Sequence, residues 1–202
     1  MAIIQLSRKA FFHNLDIIAQ QTSSVDKIAL VLKDNAYGHG IIEIASLAKA
    51  YGITKAVVRT DAEADLIRDF FSYTLVLADT PNKAVDSAIY TVNSLEAIKK
   101  FPKNTKVALK FDTGMHRNGI CFKQMEEAIR LAQEHSLIIE DIFTHFRSAD
   151  TLSSEWFWQK KNFEMAKKSA VGLAEKYSIQ RPRFHSCNSA ALFRNQNFDE
   201  DI

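Results

Sequence analysis

A lysine closes the apolar run Lys27-Ile-Ala-Leu-Val-Leu-Lys33 and opens the segment Lys33-Asp-Asn-Ala-Tyr-Gly-His-Gly40. An amine at the end of a buried strand loses part of its hydration, which favours the neutral form and makes it a nucleophile toward carbonyl carbon. The same position also suits a lysine that only extends its ammonium into water. Tyr37 and the Gly38-His39-Gly40 turn weigh toward chemistry. Glycines let backbone approach a ligand, and a phenol can hold a phosphate oxygen.

Three further segments carry candidate groups. In Lys110-Phe-Asp-Thr-Gly-Met-His-Arg117-Asn-Gly119, the planar fork of Arg117 matches a carboxylate. It would anchor an amino acid or keto acid, or else pair with a carboxylate of the protein itself. Thr144-His145-Phe146 offers an imidazole for stacking on an aromatic cofactor, or a satisfied rim histidine. In His185-Ser-Cys-Asn-Ser189, Asn188 and Ser189 can cap a helix. The N-terminus of such a helix is an anion site, or simply a capped end.

The elements that must carry these groups alternate in type. Ser7 caps a helix with Phe11, Leu15 and Ile18 on one face. The run 27–33 reads as a strand buried on both faces. A helix from His39 to Tyr51 closes on Gly52, and Lys55–Arg59 is a strand. Thr60-Asp-Ala-Glu63 is a capping box, with Glu63 reaching back to the cap's N–H. The spacing then predicts strands at 74–78, 89–92, 106–111, 138–145 and 183–187. Helices are predicted just after Pro81 and over 94–101, 122–135 and 153–177.

Seven strands separated by helices imply parallel strands with right-handed crossovers. No G-x-G-x-x-G follows the first strand, so the dinucleotide fingerprint of an open sheet is missing. Polar residues gather just past the strand ends, at Lys33, Arg59, Asp112, Arg117, His145, Asn188 and Ser189. A (β/α)8 TIM-type barrel puts all those ends on one face. The expectation is an α/β barrel, truncated after its seventh strand.

Composition narrows the class. The chain has 202 residues, 47% apolar and 25% charged, which suits a folded globular domain rather than a disordered one. Its formal charge is +2 with no dense basic block, so neither nucleic acid nor a membrane surface is an expected partner. Two cysteines cannot form a disulfide framework or a four-cysteine metal site, and no metal is expected. The start carries charge too early for a secretory signal, and the longest apolar run, Ile28–Leu32, is far short of the ~18 residues of a membrane span. A cytoplasmic location is expected.

Taken in order, the four segments resemble the alanine racemase family of fold-type III pyridoxal-phosphate enzymes, and the resemblance runs the whole chain. The segment Lys33–Gly40 is close to the family's cofactor-lysine signature. The resemblance implies that Lys33 holds pyridoxal 5'-phosphate and serves as one of two proton-transfer bases. It implies that Tyr37 and Ser189 bind the phosphate, Arg117 holds the substrate carboxylate, and His145 stacks on the cofactor ring. His185 and Asn188 would support that ring, and Lys110 matches a position often carbamylated to steady the arginine. The resemblance further implies a homodimer in the full-length protein. Its second base is a tyrosine from the partner's C-terminal β-domain, which these residues do not include. Residues 1–202 thus read as an incomplete N-terminal barrel domain of an enzyme that interconverts L- and D-alanine for peptidoglycan. The alternatives are a barrel-only cofactor-binding protein without racemase activity, and an inactive fragment. Departures from the pattern are Asp34, His116, Arg147 and Cys187. Arg59 near the mouth would serve specificity or pair with Asp61.

Overall fold

A computed structural model describes residues 3–151, 153–194 and 198–202. The chain divides into two compact units, Met1–Asp79 and Thr80–Ile202.

In the first unit, Ser7 caps α1 (Arg8–Thr22) by accepting the amide of Ala10. The first strand, β1, is shorter than its apolar run and covers only Ala29–Val31. Its residues are half-buried or exposed rather than buried on both faces, and Val31 is 39% accessible. Lys33–Tyr37 forms a single helical turn, α2, and Gly40 then leads into α3 (Ile41–Tyr51). Gly52 ends α3 at φ 105°, where a side chain would be strained. The strands β2 (Lys55–Val58) and β3 (Tyr73–Val76) complete a parallel ladder in the order β1-β2-β3. Between them lies α4 (Asp61–Ile67), opened by the expected capping box. Leu15, Leu32, Ala45, Ile53, Val58 and Ile67 fill the core of this unit.

In the second unit, β4 (Ile89–Val92), β5 (Lys106–Asp112), β7 (Ile138–Phe143) and β8 (Arg183–His185) pair in parallel in that order. A two-residue strand missed by the spacing, β6 (Ile120–Cys121), joins the end of β5. The helix predicted after Pro81 does not form, and residues 82–87 make bends and a turn. Only Ala84 and Val85 are apolar there, too few for a helical stripe. Ser94 caps α5 (Leu95–Ile98), and α6 (Met125–Glu134) buries Met125, Ala128, Ile129 and Ala132 on one face. The long α7 (Glu155–Lys176) packs through Phe163, Ala166, Ala170 and Ala174, and the three alanines allow close approach. Arg183 of β8 bridges Glu140 and fully buried Asp141 of β7 at 3.1 and 2.7 Å. A last short helix, α8, spans Ser189–Arg194.

Candidate active site

Lys33 lies two residues beyond β1, half-buried, with its ammonium 5.6 Å from the centre of the Tyr37 ring. Both belong to α2, which is wound left-handed from its second residue. Asp34, Asn35 and Ala36 have φ,ψ near 55°, 50°, and Tyr37 has φ 54°. Tyr37 is 60% exposed, and its phenol pKa is raised by partial burial and by Asp34. It therefore stays a hydrogen-bond donor. Asn35 accepts the Ile41 amide at 2.8 Å and so caps the entry to α3. Arg59, just past the end of β2, pairs with Asp34 at 3.0 Å, an ion-pair partner the sequence reading did not name. The amide of Asp61 donates to Asp79.

The remaining candidates lie in the second unit. Lys110, on β5, is only 8% exposed and donates to Oδ1 of Asn118. Burial, with Arg117 nearby, brings its pKa down to about 8. The following loop is shaped by Asp112, whose Oδ1 accepts the amides of Gly114, Met115 and His116 at 2.9 to 3.1 Å. Burial would raise this carboxyl, but the Gly114 and His116 amides, the His116 ring and the Met115 amide together hold it below its usual value. Arg117 is exposed and has no ion pair among the described residues, so the structural alternative of a protein carboxylate partner is not realised there. Gly119 closes the loop at φ 135°, where a Cβ would sit 2.7 Å from the Asp112 nitrogen.

His145 stands two residues past β7, half-buried. His185 ends β8 and stacks on Phe143 at 4.8 Å with the planes 9° apart. Part of the residue remains accessible, yet its Nε2 is buried without a hydrogen-bond partner among the described residues. Burial brings its pKa down to about 4, so the ring is neutral. Asn188, rather than Ser189, caps α8: its Oδ1 accepts the Ala191 amide at 2.9 Å. Its amide donates to Phe146 O at 3.1 Å, which ties α8 to the loop carrying His145. Ser189 is the first residue of α8 and is exposed.

Several supports escape sequence reasoning. Gln159 of α7 is 2% exposed; its amide oxygen accepts Arg147 N at 2.9 Å and its amide nitrogen donates to Arg147 O at 3.2 Å. Asn162, one turn on, donates to Thr113 O at 2.9 Å. Thr113 and Thr144 join by their hydroxyls at 2.8 Å, linking the ends of β5 and β7. One helix thus holds both the loop of Arg117 and the loop of His145. No signal marks Gln159 in the sequence beyond a glutamine inside a long amphipathic helix. No cluster of three metal-ligating side chains occurs among the described residues.

These donors fit the needs of pyridoxal 5'-phosphate unit by unit. The first offers a primary amine and a phenol; the second offers a cation, hydroxyls at a capped helix, and a neutral imidazole with an unused buried nitrogen. The strand and helix order is that of a parallel α/β chain of the barrel type. Comparison with known proteins carries the assignment further. The family described as "Alanine racemase, N-terminal domain" matches residues 6–201. The alanine racemase of a Nitratiruptor species is 50% identical over 194 residues, covering 96% of this chain and 58% of that protein. Among solved structures, alanine racemase from Corynebacterium glutamicum superposes with a TM-score of 0.79 at 27% identity, over 96% of this chain and 58% of the other. Histidine racemase from Leuconostoc mesenteroides subsp. sake gives 0.75 at 25% identity, over 93% and 53%. The fold is thus α/β, with seven principal parallel strands among the described residues, consistent with a truncated TIM-type barrel.

The chain belongs to the alanine racemase family, and it spans 58% of the length of the curated Nitratiruptor relative.

Proposed function

We propose that this chain is the cofactor-binding N-terminal part of a pyridoxal-phosphate-dependent racemase that interconverts L- and D-alanine. The observation that carries the reading is the pairing of Lys33 with Tyr37 on one fixed turn. Pyridoxal phosphate, when bound, supplies the electron sink that stabilises charge at the substrate Cα. The residues of this chain hold, orient and move protons around it. Lys33 provides the covalent anchor and a base on one face of Cα. By the family resemblance, Tyr37 and Ser189 would each donate to the cofactor's phosphate. Arg117, lacking an ion pair among the described residues, receives the substrate carboxylate. His145 stacks on the cofactor ring, and His185 and Asn188 support it.

Lys110 is suited to carbamylation. A buried amine with a pKa of about 8 is partly neutral at physiological pH. Its nitrogen can add to the carbon of dissolved carbon dioxide and release a proton. The resulting carbamate is an anion, matched in charge to Arg117.

The 50% identical relative is an alanine racemase, which supports alanine as the substrate; the fold alone does not choose it, since a neighbour of the same fold is a histidine racemase. The second base comes, by family resemblance, from a C-terminal β-domain in a homodimer, so these residues alone are expected to racemise slowly or not at all. Among the described residues no helix is long and apolar enough to cross a membrane. We read the protein as cytoplasmic, supplying D-alanine for peptidoglycan. Absorption spectroscopy with added pyridoxal phosphate, beside Lys33→Ala, tests the anchor. A visible band in the first and none in the second is expected. Equal bands would move the anchor to another lysine, and no band in either would overturn the reading for this chain.

A further inference from the structure

We propose that Glu63 is a positioning residue for Lys33 and Tyr37, acting through the backbone of the left-handed turn between them; this rests on the reading of Lys33 as the cofactor lysine. Four consecutive L-residues, Asp34 to Tyr37, sit at φ between 52° and 56°. Each such residue is disfavoured relative to right-handed backbone, and a run of four persists only where neighbours over-determine it.

Part of the restraint is internal. Ala36 N bonds Leu32 O at 2.8 Å, and Gly38 N and Gly40 N bond Asp34 O and Asn35 O at 3.1 Å. The rest comes from the end of β2 and the start of α4. The Arg59–Asp34 pair has side chains 60% and 47% exposed, and ion pairs in that setting contribute little. Glu63 does more. Its Oε1 accepts Asn35 N at 3.2 Å, while its Oε2 accepts Arg59 N at 2.8 Å and Thr60 N at 3.3 Å.

A capping box accounts for only one of these three bonds, the one to Thr60 N. The other two join the loop after β1 to the loop after β2 through one carboxylate, and charge-assisted bonds of this kind are the stronger sort. The split between two oxygens matters. A glutamine has a single acceptor oxygen, so it can serve the helix cap or Asn35 but not both.

Three variants of the 202-residue chain separate the roles. Glu63→Ala removes cap and bridge, and Glu63→Gln keeps an oxygen for the cap. Thr60→Ala removes the bond from Glu63 N to Thr60 Oγ, 3.2 Å, and leaves the carboxylate in place. Amide hydrogen exchange followed by NMR reads the turn directly, without any cofactor. Exchange at Asn35 and Ala36 is expected to quicken at least tenfold in Glu63→Ala and Glu63→Gln and less than threefold in Thr60→Ala. The pyridoxal phosphate concentration that half-fills the Lys33-dependent band should rise at least fivefold in the same two variants only. Unchanged exchange in Glu63→Ala, or equal quickening in Thr60→Ala, overturns the proposal. If wild type shows no Lys33-dependent band, the cofactor reading fails, and the exchange data still decide whether Glu63 holds the turn.

Discussion

The imidazole of His185 lies flat against the ring of Phe143, with centres 4.8 Å apart and planes 9° apart. The stack leaves Nε2 buried and unpartnered among the described residues, and the ring refuses a proton until about pH 4. In the unfolded chain a histidine takes that proton near pH 6.5. Between those values the unfolded state binds more protons, so stability falls as pH falls. His185→Phe keeps the stack and removes the titration. Denaturant unfolding at pH 7 and pH 4.5 should show a loss in the wild type about 2 kcal/mol larger than in the variant.

Lys110 titrates in a different window. Its folded pKa, about 8, lies below the ordinary 10.5, so the unfolded chain holds the extra proton between the two. Stability therefore rises with pH across that window. Unfolding measured at pH 8 and pH 9.5 should show a gain of about 1 kcal/mol that Lys110→Met lacks. With isotopically labelled bicarbonate, NMR of the wild type should show a carbamate carbonyl that disappears in the same variant.

Gln159 is replaced at a cost that its burial sets. Gln159→Leu fits the volume but strands the N–H and C=O of Arg147. These bonds are part-buried, and each contributes about 0.5–1.5 kcal/mol, so a loss of about 1–3 kcal/mol in unfolding free energy is expected. Gln159→Glu keeps an acceptor for Arg147 N but sets a carboxylate against the carbonyls of Arg147 and Glu155 at a site only 2% exposed, and should cost at least as much as Gln159→Leu.

Two glycines with positive φ should respond differently to alanine. At Gly119 the new Cβ would meet the Asp112 nitrogen at 2.7 Å and the Phe111 carbonyl carbon at 3.0 Å. At Gly52, φ 105°, nothing lies within 4 Å. Gly52→Ala should lower stability by about 1 kcal/mol from backbone strain alone, and Gly119→Ala by at least twice that. Thermal melts of the two variants side by side check the ordering.

What could be read from the sequence was whatever a short window determines. The Thr60–Glu63 box, the Ser7 cap, the Gly52 stop and the alternation of strands with helices all depend on residues close together in the chain. The candidate side chains were legible as types in order, Lys33 first among them. Other features depend on distant partners. Arg59 lies two residues from Asp61 in the chain, yet its ion pair is with Asp34, 25 positions away. Gln159 faces inward on a helix whose solvent face carries similar polar residues, so its type alone does not reveal its burial. The left-handed turn was invisible because Asp, Asn, Ala and Tyr in a row give no local reason for positive φ at all four. Pro81 misled in the other direction: a residue suited to a first helical turn stood before a segment with too little apolar surface to hold one.

That turn also ties one side chain to a distant part of the chain. A chain ending before β2 would have no Glu63 and no Arg59, and the backbone after Lys33 would relax toward right-handed or extended forms. The contact from Asn35 to Glu63 spans 28 residues, and the β1–β2 ladder closes the same stretch of chain, so the two share one loop-closure cost. The presentation of the lysine therefore depends on residues that the following strand brings into place. Without them it is chemically one amine among many, and the selective capture of an aldehyde proposed for this position would be a property of the folded unit rather than of the motif.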